Sequence, residues 1–586
     1  MSLIPGAGLD ARERRILAWG AAALFLASWA DVSVKNVSET LFLKRIGVEL
    51  LPVAFLVNAF LLMGTTSVLG AVAAKVDPLR LFTRALAGIS VLLGLLWIFV
   101  HVGGSTSYPV LLLAAKQINS IALITFSVAI SALIDHRQAK QLLPPLLAGG
   151  TLGTILGSFA SGPLGRWLDV EGLLPVAALL LAAGAFATLP LRRLATARVV
   201  LERRRASTAP RAAFVAQPVV PARQLWRESW LFRALAISAL LCGAVGPMLY
   251  FEFSYVADLA TRGSGGEEKL LSLYALVRGW LQLGVLVVQL WIAPLIYRRF
   301  GVPLAGTLSP LFYLLGLGGL TFRLGLHEGV AALSGATVQD QAVHDPAQRL
   351  LMVLFPEEIR ARVTALVEGT AKRAGGCIGN LLVLAAVGLG SVTWVGLVGV
   401  PITIAWFVTT LRIWRHYPGL VLAMASEPRR ISRAGLHARE IVDASTLRSL
   451  GRMLVEPSLD RCRAALEVLR ELRPDAAPGI LANALAGADA AVLPLLIESL
   501  EAQLDEGAAK PADLQSQAAS VAALLQGPVP LSSRHRAALV RILGRMEVSG
   551  SPGAESVTAI RAATRDAEPA VRVAAETTLY RLGLRG

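Results

Sequence analysis

Residues 12–39 read RERRILAWGAAALFLASWADVSVKNVSE: a basic cluster (Arg12, Arg14, Arg15), a run of apolar and small residues, then Asp31, Lys35 and Glu39 at four-residue spacing. A helix needs about 20 mainly apolar residues to cross the roughly 30 Å hydrocarbon layer of a bilayer, and this stretch supplies them. Charges four residues apart lie along one helix face. In lipid each would cost several kcal/mol, so that face must point into a bundle of further helices. The basic cluster leads straight into the span, with no short apolar core ending in Ala-x-Ala, so no cleavable leader is expected.

Further apolar segments follow. With 16–38 we read twelve: 49–72, 79–103, 108–134, 143–163, 173–194, 231–257, 269–295, 302–323, 327–353, 360–388 and 391–415. The tenth is the most interrupted, by Gln339, Asp340, Gln341, His344 and Asp345. The composition agrees: 55% of the 586 residues are hydrophobic and 16% charged, against about 25% charged in soluble domains. The three cysteines (Cys242, Cys377, Cys462) have neither CxxC nor Cys/His ligand spacing, so neither a disulfide framework nor a metal site is expected.

The net charge of +16 has an address. From Leu436 onward there are 17 Lys+Arg against 18 Asp+Glu; before it there are 39 against 22. A basic excess confined to the apolar part orients membrane helices and does not call for nucleic acid. With the N-terminus inside, the cytoplasmic loops collect roughly 23 Lys+Arg against about 7 outside. The longest connection carries Arg192, Arg193, Arg198, Arg203, Arg204, Arg205 and Arg211. Six spans (1–195), a basic cytoplasmic linker (196–230) and six more spans (231–418) is the major-facilitator plan, two halves related about the membrane normal. A shift of 217 residues lays Arg45 on Arg262 and Lys35 on Glu252.

Charged groups inside spans mark either helix–helix ion pairs or a pathway. Asp31–Lys35–Glu39 and Glu368–Lys372 could neutralise themselves as i,i+4 pairs. Yet spans one, four, seven, eight and eleven all contribute polar groups. The cationic ones (Lys35, Lys116, Arg278, Lys372, Arg373) suit an anionic substrate, Arg being best at carboxylate and phosphate forks. Glu252, flanked by Tyr250 and Tyr255, joins them as a substrate contact. Asp31, Glu39 and Glu368 serve either as counter-ions or as proton carriers. Gly149, Gly150, Gly153 and Gly157 allow close helix packing. They are not a phosphate loop, because no Lys-Ser/Thr follows and no strand precedes.

These residues resemble the ATP/ADP-translocase family of nucleotide carriers. Asp31-Val-Ser-Val-Lys35-Asn, continuing to Gly47-Val-Glu-Leu-Leu-Pro52, is similar to the family's first helix and its entry to the second. Tyr250-Phe-Glu252-Phe-Ser-Tyr255-Val256 resembles its helix-seven motif, and His344-Asp345-Pro346 with Arg360-Ala-Arg362 resembles a Phe-Asp-Pro turn and basic loop. Lys372-Arg373-Ala-Gly375-Gly376-Cys377 falls where the family has Arg-x-Gly-Lys-Ser. The resemblance covers about 400 residues and implies substrate contacts at Lys35 and Glu252. Ala30, Val256 and Gly376-Cys377 stand where the family has cationic or hydroxyl residues. Those losses leave the fold inference intact and weaken strict ATP/ADP exchange.

After a linker (419–435), residues 436–586 are Ala/Leu/Arg-rich, helical in spacing and too polar to span. Asp566-Ala-Glu-Pro569-Ala-Val571-Arg572-Val-Ala574-Ala575 with Leu579 resembles the second half of a HEAT repeat, with Asp489…Val492 and Ser458…Arg461 as weaker copies.

The expectation is an all-α membrane carrier in a bacterial plasma membrane, both termini cytoplasmic, moving an anionic metabolite, which the resemblance implies is nucleotide-like, without a cofactor. The C-terminal module would regulate it or bind a cytoplasmic protein. A non-transporting receptor or scaffold and a lipid or lysolipid flippase stay open as alternatives. An enzyme is not expected, since no catalytic constellation is present.

Overall fold

The computed structural model describes residues 10–584 apart from 192–221, 426–443 and the short breaks 74–75, 132, 134–135, 353, 356, 473–475, 507–510, 528–530 and 548–552. The linker arginines 192–211 therefore lie outside the described residues. Among the described residues there is helix and no strand. The chain forms two compact units, one made of Met1–Ala293, Thr307–Pro346 and Ala361–Thr410, the other of Pro294–Gly306, Ala347–Arg360 and Leu411–Gly586.

In the first unit the chain runs through α1 (Ala11–Arg45), α2 (Leu51–Ala73), α3 (Pro78–Val102), α4 (Ser107–Ser131) and α5 (His136–Ala187). A second set follows: α6 (Trp230–Ala260), α7 (Gly266–Val287), α8 (Leu308–Phe322), α9 (Leu326–Gln339), α10 (Lys372–Gly388) and α11 (Thr393–Ala425), of which residues 411–425 belong to the second unit. Starts are capped where the sequence provides for it. Asp77 accepts from the Arg80 amide ahead of Pro78, and Ser229 accepts from the Phe232 amide; each satisfies an otherwise orphaned donor.

The amphipathicity of α3 is typical of the bundle. Leu79, Phe82, Leu86, Ile89, Leu93 and Leu96 are buried at helical spacing, while Val91, Leu95 and Ile98 are exposed. An outer face that is both apolar and exposed belongs against lipid. α5 contains Asp169 in the left-handed region (φ 62°). A straight helix of its 52 residues would be about 78 Å long. Instead Gly149 and Gly184, far apart in sequence, lie on Ala21 and Ala23 of α1. The chain doubles back at Asp169, and α5 supplies two antiparallel limbs.

Eight helices among the described residues are long and apolar enough to cross a membrane. They cover expected segments one to eight and twelve, α5 carrying the fifth and sixth. Segments nine to eleven take another form. α8 has 15 residues, and the other two contain π-helical turns at Asp340–His344 and Ala365–Ala371. The first of these is the polar stretch that interrupts the tenth segment. There Asp340 accepts from the Ser309 hydroxyl (2.7 Å) and from Tyr313 (2.8 Å) of α8, so the polar interruption is spent on helix–helix bonding.

Glycine contacts reveal the internal repeat. A methyl group on Gly153 would overlap the Phe25 carbonyl, and one on Gly157 would strike Trp29, locking the first limb of α5 to α1. On α10, Gly375 and Gly379 press in the same way on the Leu240 and Ala244 carbonyls of α6. This equivalence of Phe25 with Leu240 and Trp29 with Ala244 carries Lys35 onto Tyr250, two positions from the Glu252 that the 217-residue shift gives.

In the second unit the described residues then form α12 (Ala444–Val455), α13 (Leu459–Leu472), α14 (Ala477–Leu485), α15 (Leu493–Asp505), α16 (Pro511–Gln526), α17 (Ser533–Met546), α18 (Ala554–Ala563) and α19 (Pro569–Arg581). α14 packs on α12, α15 and α16, and α17 packs on α15, α16, α18 and α19. One apolar core runs from Leu450 to Leu582. Across its surface, Glu498 and Glu501 of α15 meet Arg534 (3.2 Å) and Arg541 (2.5 Å) of α17; exposed pairs of this kind contribute little each. Arg536 grips Asp566 with two hydrogen bonds of 3.0 Å, and Asp566 also accepts from the Glu568 amide just before α19.

Replacing Gly375 by Leu should lower the melting temperature of the detergent-solubilised chain, because overpacking costs about 1–3 kcal/mol and here the obstacle is backbone. The hydrogen bonds from Arg536 hold the Asp566 carboxyl below the ordinary carboxylate range. Its contribution is therefore complete above the unfolded value of about 3.9 and lost as pH falls through the depressed folded value. Asp566→Asn should accelerate hydrogen exchange in α19 at neutral pH, with no difference from the parent chain in strong acid.

Candidate functional site

α1 is the spine of the site, because one of its faces carries Asp31, Lys35, Asn36 and Glu39 within little more than two turns. Lys35 donates to Asp31 at 2.7 Å. Glu39 is not the partner of Lys35. It is 1% exposed and takes Lys116 of α4 at 2.5 Å, together with the Arg278 guanidinium of α7 and the Tyr250 hydroxyl of α6. Arg278 also donates to Asn36 Oδ1 (2.5 Å) and to Tyr250 (3.0 Å). A buried carboxylate is tolerable only when paired and hydrogen-bonded, and Glu39 meets both conditions with groups from both helix sets.

Aromatic faces surround the cations. Lys116 sits 4.7 Å from the Phe55 ring centre, and the Arg278 guanidinium carbon 4.9 Å from that of Tyr274. Such contacts replace part of the lost hydration. Beside the cluster lies a cavity of about 250 Å³. Asp31, Lys35 and Thr154 line it from the first helix set; Tyr250, Arg278 and Gln282 line it from the second. Thr337 and Gln341 close the remaining wall.

At one end of the bundle the two sets are clamped. Lys44 donates to Asp258 (2.8 Å) and to the Thr261 carbonyl (3.2 Å). Arg45 holds Glu267 at 2.8 Å and Glu171 at 2.7 Å, and reaches the Tyr108 hydroxyl. Sequence reasoning assigned no partner to Lys44 or Asp258. Its one available signal was two adjacent cations at the end of a span.

The other expected residues lie elsewhere. Glu252 is fully buried against Gly396, where an added methyl carbon would approach its Oε1 to 3.0 Å. Among the described residues no cation or hydroxyl pairs with it, and it does not line the cavity. Lys372 pairs with Asp345 at 2.9 Å rather than with Glu368. Glu368 is half-buried in the π-helical turn Ala365–Ala371, and Arg373 is exposed. Lys35, Arg278 and Asp31 therefore meet at the cavity, Glu39 and Lys116 stand directly behind it, and Glu252, Lys372, Arg373 and Glu368 do not join them.

No protein-family model matches the sequence, and no curated protein matches it. Among solved structures, a variant of the nucleoside transporter NupG matches 68% of this chain and 99% of its own, at 13% identity and a TM-score of 0.50. A peptide transporter, POT, in complex with alafosfalin matches 70% and 99%, at 14% identity and 0.49. A bacterial homologue of the iron transporter ferroportin in an inward-facing state matches 68% and 98%, at 15% identity and 0.47. At such identities the likeness to NupG is one of fold: the chain shares the helical fold of that transporter, and eight of its described helices are long and apolar enough to cross a membrane.

Glu39→Gln would leave Lys116 and Arg278 buried without their carboxylate. Breaking a buried pair in this way costs about 3–5 kcal/mol, read as a fall in the melting temperature of the solubilised chain. Adding Lys116→Met to Glu39→Gln should recover part of the loss.

Proposed function

We propose that the chain is a secondary transporter of an anionic metabolite, working by alternating access in a bacterial plasma membrane with both termini cytoplasmic. The observation that carries this is the cavity between the two helix sets, with Lys35 and Arg278 on its wall. Substrate sites of carriers built from repeats lie at the interface of the repeats, and intramembrane charges facing a cavity are functional by default. Lys35 and Arg278 would contact the anion, with Lys116, Asp31 and Glu39 setting their geometry. In this proposal the bundle has twelve spans, α8 and the two π-interrupted segments supplying the ninth to eleventh. The tight α1–α5 and α6–α10 contacts make each half stiff. The ion pairs at Lys44 and Arg45, which join the halves, are the contacts that must open and re-form.

The nucleoside named for NupG and the resemblance to ATP/ADP translocases both favour a nucleotide-like substrate. Residues 436–586 we assign to a HEAT-like stack, on the pattern of α14 meeting α15 and α16, and of α17 meeting α18 and α19, which is how such repeats share a core. It would regulate the carrier or dock a cytoplasmic protein.

Proteoliposomes holding the purified chain should take up at least one labelled anion from a panel of nucleotides, organic phosphates and carboxylates. Lys35→Ala or Arg278→Ala should slow that uptake by at least about tenfold, the factor equal to 1.4 kcal/mol. If no anion moves, or if both variants transport at the parent rate, the proposal fails.

A further inference from the structure

Resting on the carrier reading above, we propose that the cavity takes a small monoanion bearing a hydrogen-bond donor, and that it discriminates against nucleoside di- and triphosphates. The first ground is charge. The set of charges in and directly behind the cavity holds three cations, Lys35, Lys116 and Arg278, and two carboxylates, Asp31 and Glu39, Asp31 pairing with Lys35 and Glu39 with Lys116 and Arg278. Among the described residues no further ion pair joins it. One positive charge is left over in a site walled by apolar helices. A single negative charge neutralises it; each additional one would stand uncompensated in a poorly solvated place, which is costly.

The second ground is the state of the donors. The two terminal nitrogens of Arg278 are already engaged by Asn36, Glu39 and Tyr250, so the guanidinium offers no open fork for a phosphate chain. Lys35 has one bond, to Asp31, and its ammonium retains two further protons. The third ground is an open acceptor. Gln282 Oε1 is buried without a hydrogen-bond partner on a residue that lines the cavity, and such an atom recognises a donor on the ligand. The last ground is size. About 250 Å³ lies below the roughly 300–1,000 Å³ of drug-sized ligand sites, which leaves little room for a base, a sugar and a polyphosphate together.

Binding to the full-length chain in detergent, measured calorimetrically at neutral pH, tests this with two charge series. One is 4-hydroxybenzoate, terephthalate and trimesate; the other is adenosine 5′-carboxylate, AMP, ADP and ATP. The monoanion of at least one series should bind about tenfold or more tighter than its more highly charged relatives. Asp31→Asn, which adds one positive charge, should move the preference toward the dianion by about tenfold. Lys35→Gln, which removes the excess, should abolish the preference. Asp31→Asn combined with Lys35→Gln restores the original charge count and should restore the order, which separates charge from any loss of packing. ADP or ATP binding tighter than the monoanions, or a preference indifferent to Asp31→Asn, overturns this inference and leaves the carrier reading standing. Absence of binding by every anion overturns both.

Discussion

A carboxylate at 1% exposure survives only where its surroundings replace water completely, and Glu39 does so with a lysine from α4, an arginine from α7 and a tyrosine hydroxyl from α6. Those partners come from both helix sets, so one side chain of α1 ties the halves together beside the cavity. The remaining polar geometry is arranged around it. Arg278 is oriented by Glu39, Asn36 and Tyr250, Lys116 is held against Phe55, and Lys35 is released from Glu39 to face Asp31 and the cavity. Moving one half against the other must stretch this cluster.

Two kinds of contact hold the bundle together. Within each half, glycines bring backbone against backbone, α5 on α1 and α10 on α6, at distances that admit no Cβ. Such close approach of small residues packs these helices tightly against each other. Between halves, the ion pairs of Glu39 with Arg278, Lys44 with Asp258 and Arg45 with Glu267 stand beside close packing of α5 on α7, where Gly165 meets Leu271 and Gly279 meets Phe159.

Much of this was legible in the sequence. The apolar segment lengths gave the helices, the Gly149–Gly157 spacing gave a close seam, and Asp31, Lys35 and Glu39 were placed on one inward face by their four-residue spacing. The pairing was not legible. Local spacing offers Lys35 equally to Asp31 and Glu39, and Lys372 to Glu368; Glu39 instead took partners 77 and 239 residues away, and Lys372 took Asp345, 27 away. Long-range partners of this kind depend on helix rotation and tilt, which hydropathy does not encode. Glu252 is the sharper case. Its flanking tyrosines place it on α6 near the cavity residue Tyr250, but two residues are about 200° around a helix, and the side chain turns away toward Gly396.

By itself the sequence determined that the chain enters a bilayer, that it does so as helices, and that its charged face must be interior, because the cost of polar groups in hydrocarbon is set by residue type and periodicity alone. Tertiary structure decided which charges cancel and which one is left over. Electrostatic compensation depends on distances of a few ångströms between helices remote in the chain, and only the folded bundle fixes those.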